Sequence, residues 1–235
     1  MKTGRPVFVY SMTPVEKTAV KNFFEPGQLK KLLEDPGQLR YAGWDLTTRD
    51  TARVIKGEYM EVTSADRKRV QVYEDGSVFV RVSADEDMLS WGQNTKTFDI
   101  QPRLNTLALI EFTLNFCKFC SRLIPLLEPA SRQLNVKVDI RNAFFGESKL
   151  FLVPYTVSSW AFVTTDGRRE APESSMSRKV VATSDQLQTR PDIIAYMLLK
   201  QIFYWFGATE EIPYTSAAHG LRYVDENLII NSRGS

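Results

Sequence analysis

Apolar and polar positions follow different periodicities along the chain, and the first forty residues favour helix. Thr13 and Pro14 stand where a helix would begin, and apolar residues follow at helical spacing. An acidic-Pro-Gly motif occurs twice, ten residues apart, and brackets a second short helix over 29–34. We therefore expect residues 1–40 to form a short helical N-terminal appendage or linker.

The next stretch alternates every two residues, which is typical of strands. Strands are predicted over 52–62 and 69–73, and a further strand over 77–82 is joined to the second across Asp75 and Gly76. An Asp-Gly pair between alternating apolar residues is a strong hairpin signal. This region is therefore predicted to be a β-meander.

Two long helices are predicted in the second half. Residues 104–124 are apolar on nearly every side and end before Pro125, while a helix from Pro191 ends at Gly207. Strands are expected in between, at 136–140, 150–153, 160–163 and 179–182.

The order of these elements indicates an α+β fold. Its mainly antiparallel sheet would come from a β-meander, a long helix, further strands and a second long helix, because strands do not alternate singly with helices. We expect an α+β domain over 41–212 and a peripheral C-terminal tail over 213–235.

Composition narrows the class of protein. The 235 residues contain 30 basic and 28 acidic side chains, a formal charge of +2, which excludes a strongly basic nucleic-acid tail and an acidic disordered chain. The sequence contains no phosphate-binding loop, nucleophile elbow or dinucleotide fingerprint. We expect no cofactor and no metal.

The N-terminus shows no secretory signal, and the apolar helix over 104–124 carries Glu111, Lys118 and Arg122, which are costly inside a bilayer. We therefore expect a buried helix, no membrane partner and a cytoplasmic location.

Two cysteines and one histidine offer little chemistry. Cys117 and Cys120 form a CxxC in the middle of an apolar helix, which favours two buried core residues over a redox or metal pair. His219 lies beside a glycine in the tail, and we expect it to be an exposed loop residue.

A polar stripe on the first long helix is the first candidate site. Glu111, Asn115, Lys118 and Arg122 recur three and four residues apart. If this stripe lines a cleft, Lys118 and Arg122 could hold a small anion with Glu111 positioning them. The alternative is a solvated face with weak ion pairs.

The second candidate is the aromatic run that ends the last long helix, in which Tyr204 and Trp205 form a predicted partner surface. Four consecutive aromatic residues cover every direction, so at least one should face outward. The alternative is a helix enclosed on both sides.

Four basic clusters, two of them near hairpin ends, raise the possibility of nucleic-acid binding. A nucleic-acid surface needs such clusters on one face, with aromatic residues for stacking. The clusters are Lys30-Lys31, Arg67-Lys68-Arg69, Arg168-Arg169 and Arg178-Lys179.

One resemblance rests on the hairpin over 70–78, the apolar helix that follows, and the helix from Arg190-Pro191 through Phe203 to Gly207. These stretches resemble the region that follows a Schlafen-type (AlbA_2) DNA-binding domain in some bacterial regulators. The similarity covers residues 41–212. Because the AlbA_2 domain itself is absent, the resemblance implies only a downstream sensing or interaction domain.

These observations together favour a non-enzymatic cytoplasmic module that binds a partner protein or a small anionic ligand, in regulation or defence. One alternative is a hydrolase-like enzyme that uses carboxylates without a recognisable motif, with Glu111 as its first candidate. The other is a nucleic-acid-binding module that uses basic hairpin ends.

Overall fold

The structure, a computed structural model, describes residues 4–25, 27–40, 43–46, 53–64, 67–84, 88–90, 102–153, 169–208 and 211–232, with backbone alone for 53–56 and 64. The strands are β1 (Val7–Pro14), β2 (Ala19–Val20), β3 (Arg53–Lys56), β4 (Tyr59–Ser64), β5 (Lys68–Tyr73), β6 (Val78–Ser83), β7 (Arg103–Leu104), β8 (Leu127–Glu128), β9 (Gln133–Arg141), β10 (Phe144–Phe145), β11 (Ser148–Lys149), β12 (Phe151–Leu152), β13 (Met176–Thr183), β14 (Thr215–Ala218) and β15 (Leu221–Val224). The helices are α1 (Gly27–Glu34), α2 (Thr106–Leu123), α3 (Ser184–Thr189), α4 (Pro191–Trp205) and α5 (Glu226–Ile230), with a 3-10 turn over Ile124–Leu126.

Seven strands form the main sheet in the order β13-β9-β1-β6-β5-β4-β3, and each neighbouring pair is antiparallel. The prediction of a mixed fold with a mainly antiparallel sheet is therefore confirmed. β7 and β12 form a small parallel pair beside it.

The N-terminal segment differs most from the prediction. Residues 7–14 are the central strand β1, hydrogen-bonded to β6 on one side and β9 on the other, so the helix predicted from Thr13 is wrong. The helical appendage reduces to α1, which matches the short helix predicted over 29–34. The carboxylate of Glu16 accepts hydrogen bonds from the Ser131 hydroxyl and two backbone N–H groups at the start of β9 instead of capping a helix.

The β-meander is present with one change. Gly57, at φ +62°, makes a two-residue turn that divides the predicted strand over 52–62 into β3 and β4. The hairpin between β5 and β6 is confirmed: Gly76 has φ +80°, and the Asp75 carboxylate accepts the backbone N–H of Ser77 at 2.8 Å.

Helix α2 packs on one face of the sheet. Asn105 caps it by accepting the N–H groups of residues 107 and 108. Tyr10 of β1 lies against α2, with its ring 5.6 Å from Phe112 and 5.3 Å from Phe116, and its hydroxyl 2.9 Å from that of Thr113. The core therefore lies between the main sheet, with β1 at its centre, and the helices that cover this face, α2 first.

The second long helix, α4, starts and ends as predicted, with Gly207 at φ +70° after its last turn. β9, β12 and β13 match three of the predicted strands, and the strand predicted over 160–163 lies outside the described residues. The expected peripheral tail instead contains the β14–β15 hairpin and α5, which add Val224 and Ile229 to the core. In the described part of the chain, no helix is long and apolar enough to cross a membrane.

Candidate functional site

A segment of chain that runs across α2, residues 37–40 and 43–46, covers the polar stripe; we call it the crossing segment. Arg40 donates from Nη2 and Nε to Oε2 of Glu111, at 2.6 and 3.1 Å. Asn115 donates from Nδ2 to a backbone carbonyl of the crossing segment at 3.0 Å. Because the Glu111 side chain is fully buried, this ion pair belongs to the interior of the molecule.

Burial raises the pKa of Glu111, and the Arg40 guanidinium opposes this rise by stabilising the carboxylate. The backbone of Gly43 lies so close that a Cβ there would overlap Oε1 of Glu111. A carboxylate enclosed in this way holds the crossing segment in place, so its geometry does not favour the enzymatic alternative.

The remaining charges of the stripe have separate neighbours. Lys118 donates to Glu226 of α5 at 2.8 Å, and the guanidinium of Arg122 lies against the backbone of Gly37. Glu111 and Arg122 therefore contact the crossing segment, and Lys118 contacts α5. The stripe is therefore covered by other parts of the chain. It does not gather its charges around a common cleft, and it is not a freely solvated face.

A second buried charge fixes the other end of the crossing segment. Lys68 of β5 donates from Nζ to the carbonyl oxygen and to Oδ1 of Asp45, at 2.7 and 3.2 Å. Burial lowers the pKa of Lys68, and Asp45 partly opposes this. One member of the basic cluster at 67–69 is thus a structural residue.

At the end of α4 the two aromatic residues predicted to form a partner surface differ in exposure. Tyr204 is 60% exposed, which confirms that one ring of the run faces outward, whereas Trp205 is 8% exposed and packs on Phe206. Only Tyr204 is available to a partner. It lines a cavity of about 270 Å³ with Lys200 and Glu211.

The cysteines are free and buried, as predicted, and burial raises the pKa of both Cys117 and Cys120. His219 is exposed in the β14–β15 turn. Within the described ranges, no three His, Cys, Asp or Glu side chains are grouped so that they could hold a metal ion.

The face of the sheet opposite α2, here called the open face, gathers arginines of which only Arg69 belonged to a basic cluster noted in the sequence. Phe8, Tyr10 and Met12 of β1 point toward the helices. Because side chains alternate along a strand, Val9 and Ser11 point to the opposite face, together with the residues paired with them on β6 and β9. On this open face Arg69 of β5 stands directly opposite Arg81 of β6. Like charges in such a pair destabilise a sheet.

The two arginines border a cavity of about 260 Å³, which we call the arginine hollow. Arg141, at the end of β9, lines it from the other side of β1, and Tyr73 and Phe79 contribute aromatic rings. Arg69 lies 3.6 Å from a carboxylate oxygen of Glu61. Among the described residues, Arg81 and Arg141 form no ion pair, so the hollow contains uncompensated positive charge.

The aromatic rings continue beyond the hollow. The Tyr73 ring lies 5.5 Å from that of Phe79 and 5.1 Å from that of Tyr59, and all three are half-buried. A row of rings thus crosses β4, β5 and β6 next to the arginines. Planar ligands stack on such rings, and arginines hold anions.

Part of this site is encoded in the predicted hairpin. Its alternation separates Arg69, Tyr73, Phe79 and Arg81 from the intervening valines, and pairing the strands would have placed the two arginines opposite each other. The position of Arg141 gave no comparable signal, because β1, which joins β9 to the hairpin, was not predicted as a strand.

The candidate site is therefore the arginine hollow with its row of rings on the open face. Comparisons with protein-family models, with curated proteins and with solved structures found no match for this chain.

Proposed function

We propose that this chain is a non-enzymatic binding module whose ligand is an anion held in the arginine hollow. The observation that supports this most directly is the cross-strand pair Arg69–Arg81 with Arg141 nearby, around one cavity. An anion would relieve the repulsion between the paired guanidinium groups and occupy the donors of Arg81 and Arg141, which form no ion pair within the described part of the chain. This keeps the expected class of a sensing or interaction module, and moves its site from α2 to the sheet.

Arginine is suited to this role because its planar guanidinium donates two parallel hydrogen bonds to a phosphate or carboxylate and keeps its charge at any physiological pH. A shallow, solvent-accessible position also avoids the desolvation cost that a buried cation would carry. The half-buried rings of Tyr73 and Phe79 favour a ligand with a planar part beside its anionic group.

Titration of the ¹⁵N-labelled protein with inorganic pyrophosphate tests the proposal. We expect the side-chain Nε–H signals of Arg81 and Arg141 to shift, and the substitution Arg81→Gln to weaken binding about tenfold or more, since a hydrogen bond to a charged group contributes about 1.5 to 3 kcal/mol. Arg132→Gln is the matched control, because Arg132 is exposed just before β9, at the end opposite Arg141. Equal loss in both variants, or no shifts at all, would contradict the proposal.

A partner protein on the outer side of α4 is the second candidate. Met197 and Tyr204 are 41% and 60% exposed and lie two helical turns apart on the same side. A second copy of the chain is the simplest partner to test by sedimentation velocity. Concentration-dependent association that Tyr204→Asp abolishes would support it, whereas a monomer at all concentrations would not.

A further inference from the structure

The open face extends beyond the hollow in both directions, and this extent narrows the class of ligand. We infer that the ligand is a single-stranded nucleic acid, whose phosphates contact the arginines and whose bases stack on the aromatic row. The inference depends on the proposed function, because it uses the same arginines as the anion site. It adds the residues that lie outside the hollow.

The arrangement of charge and rings follows the strands. Arg69 and Arg81 form one cross-strand row, Gln71 and Phe79 form the next, and Tyr59 faces Tyr73 in a third. Successive rows on one face of a sheet are about 7 Å apart. Cationic groups and stacking surfaces are therefore adjacent over three rows, as phosphates and bases are along an extended strand.

The positive charge continues across the sheet toward β13. The row that contains Phe79 runs through Ser11 of β1 to Lys137 of β9 and Lys179 of β13. Lys179 is exposed, and Lys137 lies 2.8 Å from Asp139.

The side chains that the structure describes on β4, β5, β6, β9 and β13 include five cations and two carboxylates on the open face. The cations are Arg69, Arg81, Arg141, Lys137 and Lys179, and the carboxylates are Glu61 and Asp139. Both carboxylates are engaged locally: Glu61 accepts a hydrogen bond from Gln71 at 2.9 Å, and Asp139 pairs with its strand neighbour Lys137. The net charge of the face suits a polyanion, although the whole chain is nearly neutral.

The half-buried rings of the open face distinguish a single strand from a duplex. The bases of a duplex are stacked on one another and present only their edges in the grooves, so the rings of Tyr73 and Phe79 would have no base to stack on. A free mononucleotide would fill the hollow and leave Tyr59 and Lys179 unused. A strand of several nucleotides can contact Tyr59 and Lys179 as well as the rings of Tyr73 and Phe79.

The test is fluorescence anisotropy of the full chain with fluorescein-labelled twelve-nucleotide oligo(U) and oligo(dT), and with a duplex of equal length. We expect at least one single strand to bind more tightly than the duplex, with affinity that falls as salt rises. Arg81→Gln should reduce the slope of log K against log salt by about 0.7. Tyr73→Leu should weaken the single strand at least about fivefold, since stacking on one ring contributes that much or more.

The controls separate this inference from the proposed function. Tyr59→Leu, whose ring lies in the aromatic row but outside the arginine hollow, should weaken the single strand and leave pyrophosphate binding unchanged, and Arg132→Gln should leave both ligands unchanged. If Tyr73→Leu proves unfolded by circular dichroism, Tyr59→Leu tests the same row. The single-strand inference alone is overturned if pyrophosphate binds but the ring substitutions leave oligonucleotide affinity unchanged. Equal affinity for the duplex and the single strand has the same consequence. If the protein binds neither pyrophosphate nor any oligonucleotide, both the proposed function and the single-strand inference are overturned.

Discussion

The polar stripe of α2 and the open face of the sheet both carry charge, but they use it in opposite ways. On α2, Glu111 is enclosed and bonded to Arg40, and Lys118 is bonded to Glu226. On the open face, Arg69 and Arg81 stand opposite each other. The charges of the stripe pair with opposite charges and hold the chain together, whereas the open face places two like charges side by side.

This difference shows which surface to associate with binding. Opposite charges brought together inside the molecule are explained by folding, since an unpaired buried charge is costly. Like charges paired on an accessible surface are not explained by folding, because they oppose it. Substitutions should therefore affect stability on α2 and ligand affinity on the open face.

The largest expected effect is at Arg40. Arg40→Met leaves the buried Glu111 carboxylate without its ion-pair partner and should lower the free energy of unfolding by about 3 to 5 kcal/mol. Urea denaturation at pH 7 measures this loss. Since Arg40 contacts α2, on the side of the sheet opposite the open face, pyrophosphate affinity of the folded fraction should stay unchanged.

The loss of stability in Arg40→Met should also depend on pH. The pKa of Glu111 is raised in the folded state above the ordinary value of 4.5, so its protonated form is favoured there, and stability from this group falls as pH rises through the raised value. Removing Arg40 widens this gap. Arg40→Met should therefore be closer to wild-type stability at pH 4 than at pH 7, and an equal deficit at both values would show that Glu111 is not its cause.

Gly43 should give the next largest effect. Gly43→Ala places a methyl group where Oε1 of Glu111 lies, so the crossing segment must shift, at a cost of about 1 to 3 kcal/mol. Gly27→Ala is the control, because a Cβ there meets nothing within 4 Å at the start of α1. Thermal unfolding should separate the two variants, and equal melting temperatures would contradict the close approach at Gly43.

A smaller effect is expected at the exposed end of the stripe. Lys118→Met removes the ion pair with Glu226, whose side chain is 40% exposed, and pairs of this kind contribute about 0.2 to 1 kcal/mol. The loss should shrink in 1 M NaCl, because salt screens accessible charges. A loss as large as that of Arg40→Met would mean that α5 depends on this contact far more than its exposure suggests.

Local patterns were enough to predict the parts of the fold that depend on neighbours in sequence. The hairpin at Asp75-Gly76 and the limits of α4 follow from turn and capping chemistry that acts within a few residues. β1 was missed because Thr13 and Pro14 also fit a helix start. Its pairing with β6 and β9, some 70 and 130 residues away, decides its structure.

The candidate site shows the same limit. The spacing of Glu111, Lys118 and Arg122 on α2 was correct, but their partners Arg40, Glu226 and Gly37 come from distant parts of the chain. A charged stripe on a helix has the same sequence pattern whether another segment covers it or not. Only the tertiary structure shows which charges are paired.

The smallest expected change in stability is at Arg81, and its sign is what matters. Arg81→Gln removes one member of the like-charged pair with Arg69, so the free energy of unfolding should stay within about 0.5 kcal/mol of wild type and rise rather than fall. The same variant should lose pyrophosphate affinity, so stability and binding would move in opposite directions. High-precision urea denaturation in low salt measures the first quantity. A clear loss of stability would mean that Arg81 is held by contacts within the chain, as Arg40 is, and the distinction between the two surfaces would then fail.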